Sequence, residues 1–457
     1  MHSPLADDLA TLPHLLQTVR DYAVSVLDGL GERPVAPPPV AVPAAPLPAA
    51  GAGTAGALAA FQQRWAPGFS GSAGPRYLGF VTGGTTPAAL AGDWLTGVFD
   101  QNGSNRSGSS AADLEKETVA WLGEMFGLGP GHTGAFVSGA TMSNLVGLAI
   151  GREWIGRRLG VDVARQGLAA LGPITVLSGT AHSSVYKALS ILGAGRDALR
   201  PVATLPDREA VDVAALAEAL EALDGRPAIV VANAGTVNTV DFDDLRAILA
   251  LRERYPFWLH ADAAFGGFAA LSPEHAHLVD GLAEADSVCV DLHKWLNVPY
   301  DAAVQFTRRR DLQVDVFQNA AAYLPAVSGD PDFFHLTPEN SRRLRALAAW
   351  FTLAAYGVAG HREIVTRAIA AAHRLGERLT AIPGVRLLAP VRLNVVCFSV
   401  PGDLPAVVRA IADSGEAFLT PTVYQGSPAL RAAFSNWRTA ESDADRVAGL
   451  LHKLLTS

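Results

Sequence analysis

Apolar positions along the chain fall into two kinds of run that alternate. AFVSG (135–139), ITVLSG (174–179), AIVVANAG (228–235), FWLHADAA (257–264), SVCVDLH (287–293) and AAVQFT (302–307) are short and almost continuously apolar. Between them lie longer stretches with apolar residues three and four apart. Strands without an in–out alternation are buried on both faces, so the pattern predicts a mostly parallel sheet covered by helices. Residues 5–30 predict an amphipathic helix, followed by an extended Pro/Ala/Gly-rich connector over Arg33 to Gly56. Beyond Arg342 a long helical stretch precedes the strand candidates VRLLAP, LNVVCFSV and EAFLT, with a helix over Pro405 to Ser414. The expected architecture is α/β: an N-terminal helix and connecting segment (1–74), a large unit (75–340) and a small C-terminal α/β unit (341–457).

Composition narrows the class. Hydrophobic residues make up 49% and charged residues 18% of 457, which is globular. A net charge of −8 gives no footprint for nucleic acid or an anionic membrane surface. Cys289 and Cys397 sit in apolar runs, too few for a disulfide framework or a multi-cysteine metal site, which fits a reducing cytoplasm. The opening MHSPLADDLATL carries acid where a leader needs base. Prolines between Val35 and Gln62 forbid a membrane helix there, and Ala346 to Gly360 is too short to span. The expectation is a soluble cytoplasmic protein.

Some familiar motifs fail. Gly51, Gly53 and Gly56 match G-x-G-x-x-G, but a proline-rich connector stands where the preceding strand should be. Neither H-E-x-x-H nor G-x-S-x-G occurs, and no metal site is expected.

The lysines are more informative. Lys plus Arg total 36, yet only Lys116, Lys187, Lys294 and Lys453 are lysines. Lys294 alone closes a strand run that reads as buried, where an ammonium is costly unless it is paired or used covalently. Asp262 closes another such run and is followed by small residues; by itself it reads equally as a helix cap. Together, an enclosed acid and an enclosed lysine are what pyridoxal phosphate requires. The amine attaches the cofactor, and the acid keeps the pyridinium protonated as an electron sink. In VSGATMSNLVGLAIGRE a strand ends at Ser138, Gly139 allows a tight turn and a helix begins. Its first N–H groups and the Thr141 hydroxyl suit a phosphate, while Ser143 and Asn144 are placed to cap or pack.

Five separated segments, VSGATMSNL, GTAHSSVYKAL, ANAGTVNTVDFDD, WLHADAAFGG and DLHKWLNVPYD, resemble in order and spacing the group II pyridoxal-phosphate-dependent amino-acid decarboxylases. That family includes the aromatic-L-amino-acid, histidine, glutamate and diaminobutyrate decarboxylases. The resemblance runs from the N-terminal helix to about residue 360 and is thin beyond it. It implies a fold-type I PLP-dependent transferase architecture, with a mostly parallel seven-stranded sheet in the large domain and a small C-terminal α/β domain.

Residue by residue, the resemblance implies Lys294 as the Schiff-base lysine and His293 as its phosphate-contacting neighbour. Asp262 becomes the pyridinium partner, with Ala264 on one ring face and His182 stacked on the other. Ala140 and Thr141 form the phosphate cradle, and Thr236 lies in a strand-end Gly-Thr loop. Val237 stands where relatives often carry a second threonine, and Leu292 where proline is usual. Thr82 falls near the substrate carboxylate. Tyr323 matches the loop tyrosine that reprotonates the α-carbon and favours amine over aldehyde; its segment, QNAAAYLPAVSGDPDFF, has the small residues of a mobile lid.

The implied activity is decarboxylation of an L-amino acid to the amine and carbon dioxide. Apolar or aromatic pocket candidates (Phe80, Phe333, Phe334, His335) tilt the substrate towards an aromatic amino acid, and Ser341 towards a smaller ring. Other chemistry on the same fold (an aldehyde synthase, aminotransferase or aldolase-type lyase) and a non-catalytic pyridoxal-binding protein are the alternatives. The family also implies a homodimer with the active site at the subunit interface.

Overall fold

The structure is a computed structural model that describes residues 2–38, 40–104, 108–319 and 330–456. Seven strands form the larger sheet: β1 (Thr133–Val137), β2 (Val176–Ser178), β3 (Leu199–Pro201), β4 (Ala228–Asn233), β5 (Phe257–Asp262), β6 (Ser287–Asp291) and β7 (Ala303–Thr307). Their spatial order is β1-β7-β6-β5-β4-β2-β3. Only β7 runs against its neighbours; the rest are mutually parallel. Every residue of β4, β5 and β6 is buried, as the unbroken apolar runs require. β3 (LRP) is not legible in the sequence, because only its first residue is buried.

The carboxyl ends of β1, β2, β4, β5 and β6 therefore open on one edge of the sheet, where ligands of such folds gather. The Ala140–Leu159 helix packs across β5 unusually closely. A Cβ on Gly147 would stand 2.6 Å from the His260 ring, and one on Gly151 2.8 Å from Trp258. The absence of side chains at these two helix positions is what allows the approach.

The smaller sheet contains β8 (Arg386–Leu387), β9 (Val395–Ser399), β10 (Thr420–Tyr424) and β11 (Ser427–Ala433), ordered β10-β11-β9-β8 and antiparallel throughout. The expected strand EAFLT is corrected: it joins β10 only at Thr420, while Phe418 bridges to Tyr77 and its carbonyl accepts from Leu78 N at 2.9 Å. The β10–β11 hairpin went unread because each strand carries a proline. Pro421 lies on an edge strand and Pro428 precedes the part of β11 that pairs with β9, so neither N–H is needed there. Gln425 (φ 46°) and Gly426 (φ 76°) make the tight two-residue turn.

The expected N-terminal helix is two, Ser3–Ala10 and Leu12–Asp28, with Pro13 in the first turn of the second. The Ala346–Thr380 helix is broken in its regularity at Gly357. Among the described residues, no helix is long and apolar enough to cross a membrane.

Candidate active site

The strand ends enclose a cavity of about 360 Å³. Of the residues named from the sequence, Ala140, Thr141, His182, Thr236, Asp262, Ala264, His293 and Lys294 all line it. They come from the ends of β1, β2, β4, β5 and β6, and the sheet register sets their spacing: Asn233 lies opposite Asp262, and Asp262 opposite Cys289.

Lys294 follows β6 on one helical turn, Leu292–Trp295. Its Nζ is 2.9 Å from Asp291 Oδ2. Burial acts to lower the ammonium's pKa, but the Asp291 carboxylate, with Asp262 behind it, outweighs burial and holds it above the usual lysine range. Asp291 Oδ1 also accepts from Ala140 N at 2.7 Å, the first N–H of the Ala140–Leu159 helix. A carboxylate thus already sits at the helix start, a position that favours anions. His293 donates from Nδ1 to the Ala302 carbonyl at 3.0 Å, and burial keeps its pKa low against the pull of Asp291.

Asp262 is 6% exposed and receives donors only: Asn144 Nδ2 at 2.9 Å and Ala264 N at 3.3 Å. It does not cap a helix. His182 instead is the cap, its Nδ1 accepting from Ser184 N at the start of the Ser183–Ile191 helix. By solvent accessibility the His182 ring is open, yet what it faces is the cavity, and that enclosure lowers its pKa. Asp262 opposes the shift, while Lys294 and Arg431 add to it.

Thr236 is almost wholly buried and donates to Glu209 Oε2 at 2.5 Å, so its hydroxyl is spent on holding the loop. Thr82 does not itself line the cavity; its Oγ1 lies 3.4 Å from the Tyr300 hydroxyl, and Tyr300 does. Tyr300 packs on His293 with ring centroids 4.3 Å apart. Phe80 is at the mouth, 57% exposed. The loop carrying it presses on the lysine turn so closely that a Cβ on Gly83 would fall 1.7 Å from the Lys294 carbonyl oxygen. Phe333, Phe334, His335 and Ser341 do not line this cavity; Phe333 instead stacks under Arg342 at 4.1 Å. Tyr323 lies outside the described residues.

Two cavity residues, and one that stands behind the cavity, escaped the sequence reading. Asp291, three residues before Lys294, was visible as a carboxylate closing the same strand. Asn144 faces β5 from the helix opposite, which only the packing reveals. Arg431 comes from β11 of the smaller sheet and is 5% exposed. It donates to the Val237 carbonyl at 2.6 Å and the Phe80 carbonyl at 3.5 Å, and its Nε has no partner among the described residues. A guanidinium that lines the cavity while resting on carbonyls, with no ion pair to a carboxylate among the described residues, is placed to meet an anion.

Pyridoxal phosphate fits this donor set: an amine, an acceptor-only acid, a helix start and two imidazoles share one enclosure.

Residues 58–401 match the model of the "Pyridoxal-dependent decarboxylase conserved domain". The chain is 31% identical to an aromatic-L-amino-acid decarboxylase of Sus scrofa over 406 residues, covering 83% of this chain and 82% of that one. It is 26% identical to a phenylacetaldehyde synthase of a Rosa hybrid cultivar, covering 83% and 80%. Among solved structures it resembles Oryza sativa TDC with PLP and tryptamine, with a TM-score of 0.89 over 99% of this chain and 98% of that one, at 23% identity. That last likeness speaks to the fold, a mostly parallel α/β sheet of the fold-type I class.

Proposed function

The chain belongs to the pyridoxal-dependent decarboxylase family, and from that premise we propose that it removes the α-carboxyl group of an aromatic L-amino acid, giving the amine and carbon dioxide. The observation that carries this reading is the enclosure of Lys294, Asp262 and the Ala140 helix start in one cavity. When bound, pyridoxal phosphate supplies the electron sink for the bond that breaks.

In this reading Lys294 holds the cofactor covalently and Asp262 accepts from its ring nitrogen. The Ala140–Thr141 helix start and His293 would face its phosphate, and His182 and Ala264 would flank its ring. Arg431 binds and orients the substrate carboxylate, its geometry fixed by the two carbonyls it already grips. Phe80 and Tyr300 offer aromatic surface at the mouth and keep water from the reacting carbon. Thr82 acts through Tyr300, and Thr236 holds its loop in place.

A second reading, aldehyde formation, is favoured by the aldehyde-synthase relative. Tyr323, proposed from the sequence as the proton donor to the α-carbon, is the residue that sets it aside. A panel of amino acids scored for carbon dioxide, amine and aldehyde tests both readings: amine from aromatic substrates is expected, and no release from any member would refute the proposal.

We also propose a cytoplasmic homodimer. The two N-terminal helices bury none of their residues and leave Leu5, Leu9, Leu12 and Leu16 exposed, an apolar row suited to a second copy. Sedimentation at micromolar concentration should give twice the chain mass, and a monomer would contradict it.

A further inference from the structure

Behind the cavity runs a chain of polar side chains in which the donor and acceptor of every link can be assigned. Trp258, His260, Ser287 and Asn144 are fully buried, and Ser184 nearly so. An indole nitrogen only donates, so Trp258 Nε1 gives its hydrogen to Ser287 Oγ at 3.0 Å. The Ser287 hydroxyl hydrogen then points to His260 Nδ1, 2.7 Å away. With Nδ1 accepting, the neutral His260 ring carries its proton on Nε2 and donates to Asn144 Oδ1 at 2.9 Å. The Asn144 amide nitrogen is left with two hydrogens and two acceptors, Asp262 Oδ2 and Ser184 Oγ, each at 2.9 Å. Ser184 passes its own hydrogen to His182 Nδ1 at 2.8 Å.

The reverse orientation is excluded at the cavity end, where it would turn the Asn144 carbonyl oxygen against the Asp262 carboxylate. With Asn144 Oδ1 taking the Nε2 proton, Nδ1 of the neutral His260 ring must accept from Ser287 Oγ, which keeps a lone pair for the Trp258 indole. Burial supports the same assignment, since it depresses the His260 pKa to about 4 and leaves that ring neutral at physiological pH.

We infer that Asn144 is the branch point of this one-way chain and positions two cavity groups at once, presenting Asp262 as a pure acceptor and locking His182 in the tautomer that carries its proton on Nε2. The helix–strand approach permitted by Gly147 brings Asn144 within reach. Asn144 would touch neither substrate nor reacting atoms; it acts through the other two side chains. The His182 arm stands on this hydrogen-bond pattern alone, while the Asp262 arm rests on the cofactor reading proposed above.

The two arms can be cut separately. In the purified protein, nitrogen-15 NMR of the histidine rings should find His182 protonated at Nε2. Ser184→Ala leaves only the Ser184 backbone N–H, 3.3 Å away, to hold Nδ1 as an acceptor, so the Nδ1-protonated form should become detectable while cofactor affinity stays near the wild-type value. Asn144→Asp replaces a donor by an acceptor at the branch. It should disturb the tautomer and also weaken pyridoxal phosphate binding, read from the visible band, by about tenfold or more. Asn144→Ser, which keeps one hydrogen to donate, should recover part of that loss. Thermal melting of each variant reports whether it is folded, and the wild-type tautomer is read without any variant. His182 found protonated at Nδ1 in the wild type, or a folded Asn144→Asp protein with unchanged affinity and tautomer, would overturn the inference. Failure of the wild-type protein to bind pyridoxal phosphate at all would instead refute the cofactor reading and leave the tautomer result standing.

Discussion

Lys294 Nζ donates to Asp291 Oδ2 at 2.9 Å, and the same carboxylate accepts at its other oxygen from the first N–H of the Ala140–Leu159 helix. One acid therefore restrains both the amine proposed to carry the cofactor and the helix start proposed to receive its phosphate.

The pair has a measurable cost. An ammonium must lose a proton before it can attack an aldehyde, and Asp291 holds Lys294 above the usual lysine range. Asp291→Asn should therefore move the pH profile of cofactor attachment to lower pH, by about one unit or more, as removal of an adjacent charge does. Stopped-flow absorbance after mixing with pyridoxal phosphate reads this directly. An unshifted profile would show that Asp291 does not govern the amine.

Arg431 was illegible for a physical reason. It stands on a strand of the smaller sheet, 137 positions beyond Lys294 (431 − 294), and no local pattern announces that the two sheets meet there. Arg431→Lys keeps the charge and loses the forked donors. A charge-assisted hydrogen bond contributes about 1.5–3 kcal/mol, so KM for the amino acid should rise about ten- to a hundredfold. Steady-state kinetics with the preferred amino acid checks it.

Gly147→Ala should destabilise the fold and distort the site together. The added methyl would stand 2.6 Å from the His260 ring, and overpacking of this kind typically costs about 1–3 kcal/mol. Denaturant unfolding measures the loss. Gly129→Ala is no control, because φ there is 71°; Gly449→Ala, in open helical surface, is one and should change little.

Acid should weaken the protein through two histidines. Burial lowers His260 and His361 from 6.5 to about 4, at His361 against the pull of the Thr352 backbone. Both groups take up a proton more readily when unfolded. Their stability contribution is complete above about pH 6.5 and is lost as pH falls towards 4, on the order of 1 kcal/mol per pH unit for each group. Unfolding free energies measured across that window should slope accordingly, with His182 and His293 adding to the slope, and His361→Leu should reduce it by about 1 kcal/mol per pH unit.

The strand ends were legible because a parallel sheet leaves a plain record: apolar runs that stop at Gly139, His182, Asp262 and Lys294. What the sequence hid depends on packing between distant segments. Asn144 reads as an ordinary polar residue a turn into a helix until Gly147 sets that helix against β5. Thr236 lines the cavity as the sequence suggests, but that its hydroxyl hydrogen goes to Glu209 is seen only in the packing. The β10–β11 hairpin was masked by prolines that are harmless only because of where the ladder begins.

Covalent attachment at Lys294 is the most direct test of all. Protein incubated with pyridoxal phosphate, reduced with borohydride, digested and analysed by mass spectrometry should carry the adduct on the peptide containing DLHKW, and Lys294→Ala should carry none. An adduct on Lys116, Lys187 or Lys453 alone, or no adduct on the wild-type protein, would contradict the assignment of this cavity.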